Sequence, residues 1–518
     1  MRHDKRRNRN TSERYIAGGL RIVLALVLLL FNLLLVLKLS SLLQNSSHLV
    51  LAVLEIVAVV VAVNIQSGTK QPSYKLAWTL LIVTLPVTGL ILYLLWGGNL
   101  QCKRLTLLPI QPPPHHGLAL RQSDGNQRRL EQSLPNWRRM TEYLRRQDFL
   151  LYQGTDITYF SDGMSFFRDV LAKMAAAERF IFMEYYILAE GSLWDEIFPV
   201  LKNRAEYGVE IKIIMDDFGS MTRMPQDMIA RLRALGIEVY VFNPVHRYVN
   251  RLYFNYRDHR KILCIDGQYA YTGGLNVGDE YVGRWRRFGE WRDNGICLDG
   301  EGAWGLTSQF IHMWEMSGNR LSNEHDYYAH AECRKGSGWC QPFSDGPINP
   351  DHPSQTVLQQ AISNAHRYIW LMTPYFAVED YVIDLLCIAA EGGVDVRLLL
   401  PGVADHRYNK IVTGSYYQKL LQHGVKIYEF TPGFLHGKCF LADDEVGMIG
   451  TINMDFRSFQ INYECGVVLY GADALNDLRQ DLESIRERSV PVDSRRWQKR
   501  SWKRQLLEKF VRLFSIWM

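Results

Sequence analysis

The sequence lacks the motifs that many nucleotide-dependent and zinc-dependent enzymes carry. It has no P-loop and no glycine-rich dinucleotide-binding motif, so neither ATP nor a nicotinamide cofactor is expected. Its eight cysteines are scattered without a C-x-x-C pair or a zinc spacing. The net charge is only +5 over 518 residues. No long basic stretch with regularly spaced aromatic residues is present, so nucleic acid is not an expected partner.

A pattern that occurs twice is the most informative feature that is present. Each copy reads H-x-K-x4-D, with a Gly at +14 and an Asn at +17 from the histidine. The first copy is His259, Lys261, Asp266, Gly273 and Asn276, and the second is His436, Lys438, Asp443, Gly450 and Asn453. A single match arises by accident in roughly one chain in tens, but a second copy with the same downstream residues indicates duplication. The pair predicts one active site built from two halves.

Both ends of the chain are basic and adjoin apolar sequence, which favours an anionic membrane surface as a partner. Apolar runs cover residues 20–37, 49–63 and 76–96. A membrane-crossing helix needs about 20 such residues. The second run is short and contains Glu55, so the sequence predicts two or three transmembrane helices within residues 1–105. Pro86, inside the third run, is tolerated where a neighbouring helix satisfies the freed carbonyl.

The sequence leaves the side of the membrane that carries the remaining chain open. The basic N-terminus favours the cytoplasm. Three spans would then place everything after residue 97 on the far side, whereas two would keep it in the cytoplasm.

The remaining chain repeats in segments as well as in motifs. Three pairs of segments match, namely 179–186 with 367–374, 208–214 with 393–399, and 236–244 with 424–432. Short β-rich runs alternate with helical stretches such as 192–207 and 380–391, which predicts α/β domains whose sheets are flanked by helices. We expect domains at 106–345 and 346–490, followed by a basic amphipathic helix at 491–518.

The repeated residues suit the chemistry of an anionic phosphoryl group. Side chains two apart on a strand point to one face, so each His projects beside its Lys. Two Lys, together with Asn276 and Asn453, can hold a phosphate. One His can attack phosphorus while the other protonates the leaving alkoxide. No carboxylate cluster accompanies the histidines and the lysines would repel a cation, so no metal is expected.

The motif aspartates have the wrong parity to contact their own histidines. Asp266 and Asp443 are seven residues from His259 and His436, an odd offset that points them to the opposite face of a strand. We therefore expect them to stabilise a turn or to form a structural ion pair. A carboxylate that orients each imidazole has to come from elsewhere, and the candidates are Asp293 and Glu464.

The two motifs with their downstream Gly and Asn resemble the signature of the phospholipase D superfamily. Two copies behind N-terminal apolar runs are similar to the bacterial cardiolipin synthases, and the similarity covers nearly the whole chain. The resemblance implies two phospholipase D-like α/β/α sandwich domains related by a pseudo-twofold axis. It makes both His, both Lys, Asp266 and Asp443 the catalytic set, with His259 as nucleophile and His436 as general acid, although the sequence alone does not order them. It also implies that Asp293 and Glu464 hold the imidazoles.

The function that this resemblance implies is a phosphatidyl transfer between two phosphatidylglycerol molecules. The products are cardiolipin and glycerol, the intermediate is a phosphohistidine, and no cofactor is needed. The alternative is another membrane phospholipase D-type phosphatidyltransferase, or a hydrolase that releases phosphatidic acid. The expected partners are these lipids and the bilayer, and the expected location is the bacterial cell membrane, with several spans. Oligomeric state is left open, a homo-oligomer being one alternative.

Three groups of residues have two interpretations each. The aromatic residues near the motifs form either an apolar wall of the site or ordinary core; they are Trp285, Phe288, Trp291, Phe456 and Phe459. The arginines of segment 282–288 either receive anionic headgroups or lie in a solvated loop. The C-terminal helix either lies in a membrane interface or docks on the protein's own core.

Overall fold

The computed structural model describes most residues between 48 and 513, part of 27–44, and Ser515, with gaps at 69–70, 98–115, 226, 245–255, 320, 322–326, 328–332, 348 and 350. Its helices, which we number in chain order, are α1 His48–Ser67, α2 Pro72–Thr84, α3 Pro86–Leu92, α4 His116–Ser133, α5 Arg138–Arg146, α6 Gly163–Ala175, α7 Ser192–Glu206, α8 Asp217–Ser220, α9 Met228–Ala234, α10 Ala303–Met316, α11 Pro353–Asn364, α12 Asp380–Glu391, α13 Arg407–Gln422, α14 Phe456–Gln460, α15 Ala474–Glu487, α16 Ser494–Gln498 and α17 Trp502–Arg512.

The first half is built on a seven-stranded mixed sheet. Its strands are β1 Thr155–Phe160, β2 Phe180–Tyr185, β3 Glu210–Asp216, β4 Glu238–Phe242, β5 Lys261–Ile265, β6 Tyr269–Gly273 and β8 Gly295–Gly300, in the order β1-β8-β6-β5-β2-β3-β4. Strands β2, β3 and β4 are parallel, and β5 runs antiparallel to β2. β2 and β5 are buried along their whole length, as expected for central strands covered by helices on both faces.

The second half repeats this sheet. Its strands are β9 Trp339–Asp345, β10 Tyr368–Met372, β12 Asp395–Pro401, β13 Lys426–Phe430, β15 Cys439–Ala442, β16 Val446–Gly450, β18 Glu464–Tyr470 and β19 Ser489–Pro491, in the order β9-β18-β16-β15-β10-β12-β13-β19. Two short strands outside this sheet, β11 Phe376–Ala377 and β17 Met454–Asp455, pair in parallel with each other. Apart from the added edge strand β19, the order matches the first sheet strand for strand. The prediction of two duplicated α/β domains is therefore confirmed.

Two segments assigned from sequence to the first half, 106–345, lie with the second. Strand β9 pairs with β18 over its full length. The helical segment 116–146 packs on the second core through Leu130, Met140 and Leu144, and the indole of Trp137 donates to Glu445 at 2.7 Å. In the structure the second sheet thus begins before the expected boundary at 345/346.

Two further pairings join the halves beside the repeated motifs. Strand β7 (Glu290–Arg292) of the first half pairs in parallel with β14 (Gly433–Leu435) of the second. An isolated bridge links Asp258 to Tyr463. These pairings bring the residue before each motif histidine next to the opposite repeat.

The N-terminal region differs from the sequence prediction. The second apolar run lies within α1. The third run does not form one helix, because Thr84 ends α2, Leu85 has an extended φ of −132°, and Pro86 begins α3. The chain folds back at this point, so that Trp78 and Tyr93 pack with ring centroids 5.4 Å apart. Much of the first run, 20–37, lies outside the described residues.

Over the described part of the chain, no helix combines the length and the apolar character needed to cross a bilayer. The predicted two or three transmembrane helices are therefore not supported. For the third run the physical reason is the break at Leu85–Pro86, which divides an apolar stretch of sufficient length into two short helices.

Candidate active site

The two H-x-K motifs sit at corresponding ends of matching strands. Lys261 begins β5, and Lys438 immediately precedes β15. The ammonium group of Lys261 donates to the carbonyl of His259. That of Lys438 donates to the carbonyl of His436 at 2.5 Å. Each lysine thus lies folded against its own histidine, as the two-residue spacing predicts.

The carboxylate that contacts each imidazole comes from the opposite repeat. Nδ1 of His259 lies 2.9 Å and 3.0 Å from the two oxygens of Glu464. Nδ1 of His436 lies 2.6 Å from Oδ2 of Asp293. Both carboxylates are buried. Because an ionised carboxylate only accepts hydrogen bonds, each Nδ1 carries the proton and leaves Nε2 for chemistry.

Backbone hydrogen bonds repeat this exchange between the halves. The N–H of His259 donates to the carbonyl of Tyr463 at 2.9 Å, and the N–H of His436 donates to that of Arg292 at 2.7 Å. Tyr463 and Arg292 immediately precede Glu464 and Asp293. Each histidine is therefore fixed twice to one short segment of the other repeat.

Burial sets the protonation of both imidazoles. It lowers the pKa of His259 to about 4, against the opposing effect of Glu464, and lowers that of His436 to about 4 together with the charge of Lys438. The charge of Lys438 also acts on His259, and that of Lys261 on His436. The two motifs therefore share one electrostatic site in which both histidines are neutral at pH 7.

The buried carboxylates and lysines are shifted as well. Burial raises the pKa of Glu464 and Asp293, but the facing histidines and lysines outweigh it, and the net pKa of each acid lies below its usual value. Burial lowers the pKa of Lys261 to about 8 and that of Lys438 to about 7. Nζ of Lys438 also lies 2.9 Å from Nε2 of His436.

The two motif asparagines both line the cavity that holds the histidines. Oδ1 of Asn276 accepts from the N–H of Ile187 at 3.0 Å, and its Nδ2 donates to the hydroxyl of Tyr281 at 2.7 Å. Asn453 is buried, and its Oδ1 has no hydrogen-bond partner among the described residues. A buried polar atom without a partner is costly, which is consistent with a ligand contact there.

The motif aspartates are not brought to this cavity. Asp266 accepts from the N–H groups of residues 178, 179 and 180, each at 2.8 Å. Asp443 accepts from the N–H groups of residues 366, 367 and 368, at 2.7–2.8 Å. Both residues have a positive φ, +54° and +57°. The resemblance places Asp266 and Asp443 in the catalytic set, but in the structure their carboxylates bind the chain that enters β2 and β10, at the ends of β5 and β15 away from the histidines, and they do not line the cavity.

A single cavity of about 470 Å³ is lined by His259 and His436 together. Its two sides differ in character. Beside His259 lie Tyr186, whose ring packs 5.1 Å from the imidazole, and the cavity-lining Arg257 and Arg457. The aromatic rings around His436 belong to Tyr281, Trp291 and Phe434, with centroids at 5.7 Å, 5.1 Å and 5.9 Å.

The structure separates the aromatic residues that sequence left ambiguous. Trp285, Phe288 and Trp291 line the cavity, whereas Phe456 and Phe459 are buried in the second core. The arginines of segment 282–288 divide likewise. Arg287 lines the cavity, and Arg284 pairs with Glu196 at 2.7 Å.

Several residues that shape the site were missed by sequence reasoning. Gly274 is needed because a Cβ there would lie 2.0 Å from Oδ1 of Asp293. Thr451, at the matching position, donates to Glu464 at 2.5 Å. Asn294 accepts from the N–H of Lys438 at 3.2 Å. The Gly and Thr at matching positions were visible in the repeat, but their contacts depend on the exchange between the halves.

The part of the chain that the structure describes contains no group of three His, Cys, Asp or Glu side chains placed to hold a metal ion. The site consists of two imidazoles, two buried ammonium groups, two carboxylates and two amides around one opening. This donor set matches a phosphoryl group and supplies both a nucleophile and a proton donor.

The fold and the paired site define a two-repeat phospholipase D-like protein. The family described as "Cardiolipin synthase, PLD-like domain" matches residues 170–296 and 358–486, and the "Phospholipase_D-nuclease N-terminal" family matches 53–98. The chain belongs to the cardiolipin synthase family, whose members are enzymes of the phosphatidyltransferase type.

Relatives cover most of the chain. Cardiolipin synthase 2 of Bacillus cereus is 34% identical over 86% of this chain and 87% of its own. Cardiolipin synthase of Geobacillus kaustophilus is 32% identical over 88% and 91%. The crystal structure of phosphatidylserine synthase from Haemophilus influenzae matches with a TM-score of 0.54 at 12% identity, covering 73% of this chain and all of that one, which is a likeness of fold.

Proposed function

We propose that the protein, as a cardiolipin synthase, joins two phosphatidylglycerol molecules in two steps at the shared cavity. In the first step a histidine attacks the phosphorus of one lipid, the bond to the headgroup glycerol breaks, and the second histidine gives that oxygen its proton. In the second step the second histidine takes the proton from a glycerol hydroxyl of another lipid. That oxygen attacks phosphorus, the P–N bond breaks, and cardiolipin leaves. The observation that carries the proposal is the cross-repeat pairing of each histidine with a carboxylate.

His259 is the proposed nucleophile. Its Nδ1 faces Glu464, and the described residues provide no hydrogen bond to its Nε2, which leaves that lone pair available. Nε2 of His436 instead faces the ammonium of Lys438 at 2.9 Å. A histidine beside a proton-bearing group is suited to the role of general acid and base.

Substrate binding supplies the charge that the resting site lacks. Both imidazoles are neutral at pH 7, but the general acid has to carry a proton in the first step. An anionic phosphodiester beside His436 favours its charged form and raises its pKa. The proton on His436 comes from water, and the same anion raises the pKa of Lys438, about 7 in the free site, so that the lysine keeps its charge beside the phosphate.

The groups proposed to hold the phosphoryl oxygens are Lys261, Lys438, Asn276 and Asn453. Both lysines are buried, so their charges act in a medium of low dielectric where they stabilise an anion strongly. The aromatic rings of Tyr281, Trp291 and Phe434 on one side of the cavity limit access of water, which competes with the lipid hydroxyl. Asp266 and Asp443 take no part in this step.

We further propose that the protein works at the surface of the bacterial cell membrane. Support comes from its lipid substrates and from exposed apolar side chains on α1 and α2, among them Ile56, Val59, Val63 and Leu76.

The test uses the full-length protein in vesicles of phosphatidylglycerol labelled in the headgroup glycerol. Cardiolipin and free glycerol are expected in equal amounts, and His259→Asn is expected to form neither. Phosphatidic acid in place of cardiolipin would contradict the transferase and favour the hydrolase alternative. Equal activity of the His259→Asn variant would contradict the site itself.

A further inference from the structure

The C-terminal helix α17 docks on the protein through its polar side. Glu508 is only 2% exposed and is clamped by Arg500 at 2.9 Å and Arg504 at 3.0 Å. It lies against Gly414 of α13, where a Cβ would be 3.7 Å from its oxygen. Burying a charge costs free energy unless it is paired, so this contact fixes which side of α17 faces the protein.

Further contacts at both ends hold the helix in the same orientation. Arg500 stacks on Trp497 with its guanidinium 4.2 Å from the ring centroid, and Trp497 packs on Tyr417 of α13 at 4.7 Å. At the other end, Arg512 pairs with Asp380 and lies over the ring of Tyr416 at 4.3 Å. The sequence left open whether this helix docks on the protein, and in the structure it does.

The outward side of α17 is apolar. Trp502 is 69% exposed and Leu506 is 59% exposed, and they are joined on the surface by Leu507, Phe510 and Leu513. Trp502, Leu506 and Phe510 recur at the i, i+4 and i+8 spacing of one helical face. Exposing such apolar area to water is unfavourable. A helix that buries its acid and exposes its leucines is oriented for a non-aqueous partner.

The segment that carries this face is strongly basic. Residues 494–513 contain eight Lys and Arg, and their one acid, Glu508, is buried. Lys503 and Lys509 are exposed beside the apolar positions. An apolar stripe flanked by cations matches an interface with anionic lipid, in which the rings and leucines enter the acyl boundary and the ammonium groups meet phosphates.

The face also adjoins the N-terminal apolar helices. Glu379 accepts from the hydroxyl of Ser73, at the start of α2, at 2.7 Å. The next residue, Asp380, pairs with Arg512 at the end of α17. The first turn of α12 therefore joins α2 on one side and α17 on the other, and both apolar surfaces lie along one edge of the second domain.

We propose that α17 is a membrane-surface helix that seats this edge of the second domain on an anionic bilayer, independently of the chemistry in the cavity. Its apolar face lies in the headgroup region. The buried contacts of Glu508 with Arg500 and Arg504 fix the helix to the domain. The helix thereby sets the orientation of the catalytic domains relative to the lipid surface.

The test places a nitroxide at residue 506 of the full-length protein, as Leu506→Cys with Cys102 and Cys333 changed to Ser, in bilayers that contain phosphatidylglycerol. Collisions with oxygen are expected to exceed those with a water-soluble nickel chelate. The matched control is Tyr207→Cys, a highly exposed position of the first domain. At this position collisions with the chelate should exceed those with oxygen. A label at 506 that is as accessible to the chelate as the control would overturn the proposal. So would spin–spin broadening between labels, which would indicate a second copy of the chain.

A second variant separates this proposal from the proposed reaction. Leu506→Ser with Leu507→Ser removes exposed side chains only, so folding should be unaffected. Activity on phosphatidylglycerol in vesicles should fall severalfold, while activity on a short-chain, monomeric phosphatidylglycerol should not change. Tyr207→Ser serves as the control. If the double variant kept wild-type activity on vesicles as well as on the monomeric substrate, the role of α17 would be refuted and the catalytic proposal would remain intact.

Discussion

Glu464 lies 205 residues beyond His259 in the chain, yet its two carboxylate oxygens are 2.9 Å and 3.0 Å from Nδ1 of that imidazole. Asp293 and His436 form the reciprocal pair. A histidine held in this way keeps one tautomer and one ring orientation. The relationship makes each repeat the support of the other's reactive group, and it leads to the following predictions.

Replacing His436 with Asn should slow both steps but still allow some covalent intermediate to form on His259. The nucleophile is intact in this variant, but proton transfer is lost, which costs roughly 10²- to 10⁴-fold in rate. After reaction with ³²P-phosphatidylglycerol and denaturation, we expect the His436→Asn protein to carry radiolabel and the His259→Asn protein to carry none. Labelling of the His259 variant with no labelling of the His436 variant would reverse the two roles.

Replacing Glu464 with Gln should lower kcat through the orientation of His259. The amide has the same size but stabilises the imidazolium poorly and permits the other tautomer. A loss of roughly 10²- to 10⁴-fold is expected, with little change in Tm. The control is Asp279→Asn, because Asp279 binds the start of α7 and lies outside the cavity. Similar kcat values for the two variants would refute the role.

Gly274→Ala should inactivate the protein, because the new Cβ would lie 2.0 Å from Oδ1 of Asp293 and displace it from His436. Gly437→Ala is the milder comparison. Its nearest neighbour is the terminal methyl of Met372 at 2.4 Å, which is the flexible end of a side chain. Initial rates on phosphatidylglycerol vesicles distinguish the two, and a Gly274→Ala variant of full activity would contradict the close packing.

Asp443→Ala should reduce stability and leave the chemistry of the remaining folded protein nearly unchanged. The substitution leaves three backbone N–H groups without their acceptor and removes a residue suited to a positive φ. A loss of about 1–3 kcal/mol or more is expected. Thermal unfolding gives the stability, and kcat per folded molecule at low temperature gives the activity. A normal Tm with an abolished kcat would return Asp443 to the catalytic set.

Activity should decline at alkaline pH. Burial lowers the pKa of Lys438 to about 7 and that of Lys261 to about 8. A lysine is charged below its pKa and neutral above it, so the free enzyme loses the charges that bind phosphate as pH rises through this range. kcat/KM should fall between about pH 7 and 9, and Lys438→Met should remove the lower of the two transitions. An unchanged kcat/KM up to pH 9 would contradict these shifts.

Local pattern was sufficient to predict much of the fold. Matching β-rich segments and repeated motifs indicated two α/β halves, and the identical strand order of the two sheets confirms them. The sequence analysis assigned β9 and the helices at 116–146 to the first half, whereas in the structure they pack with the second. Nothing in their local sequence indicates this. Their position depends on pairing with β18 and on the core around Leu130, Met140 and Leu144.

The sequence pointed to the histidines and acids that the structure brings together, but not to which acid contacts which histidine. Parity along a strand pointed Asp266 and Asp443 away from their histidines, and the need for an orienting acid pointed to Asp293 and Glu464. Sequence spacing does not reveal which acid meets which histidine, because the answer depends on how the halves face each other. The same holds for Tyr186 and Phe434, which reach the cavity only through that arrangement.

In the apolar N-terminal region the composition was not predictive of the course of the chain. Hydropathy alone favoured a single helix over 76–96, but the steric requirement of Pro86 and the extended conformation of Leu85 divide that run. The hydropathy of the segment shows how apolar it is but does not show where the helix breaks.

The exchange of supporting segments between the repeats also bears on how such a chain can evolve. A substitution beside Arg292–Asp293 alters the histidine of the other half, so selection acts on the halves jointly even though they descend from one sequence. A lone repeat could form a comparable, symmetric cavity only by associating with a second copy, each supplying the acid that contacts the other's histidine. Fusion of the two into one polypeptide then frees matching positions to diverge, as Arg257 and Phe434 have done, and permits a lopsided cavity that a symmetric pair could not build.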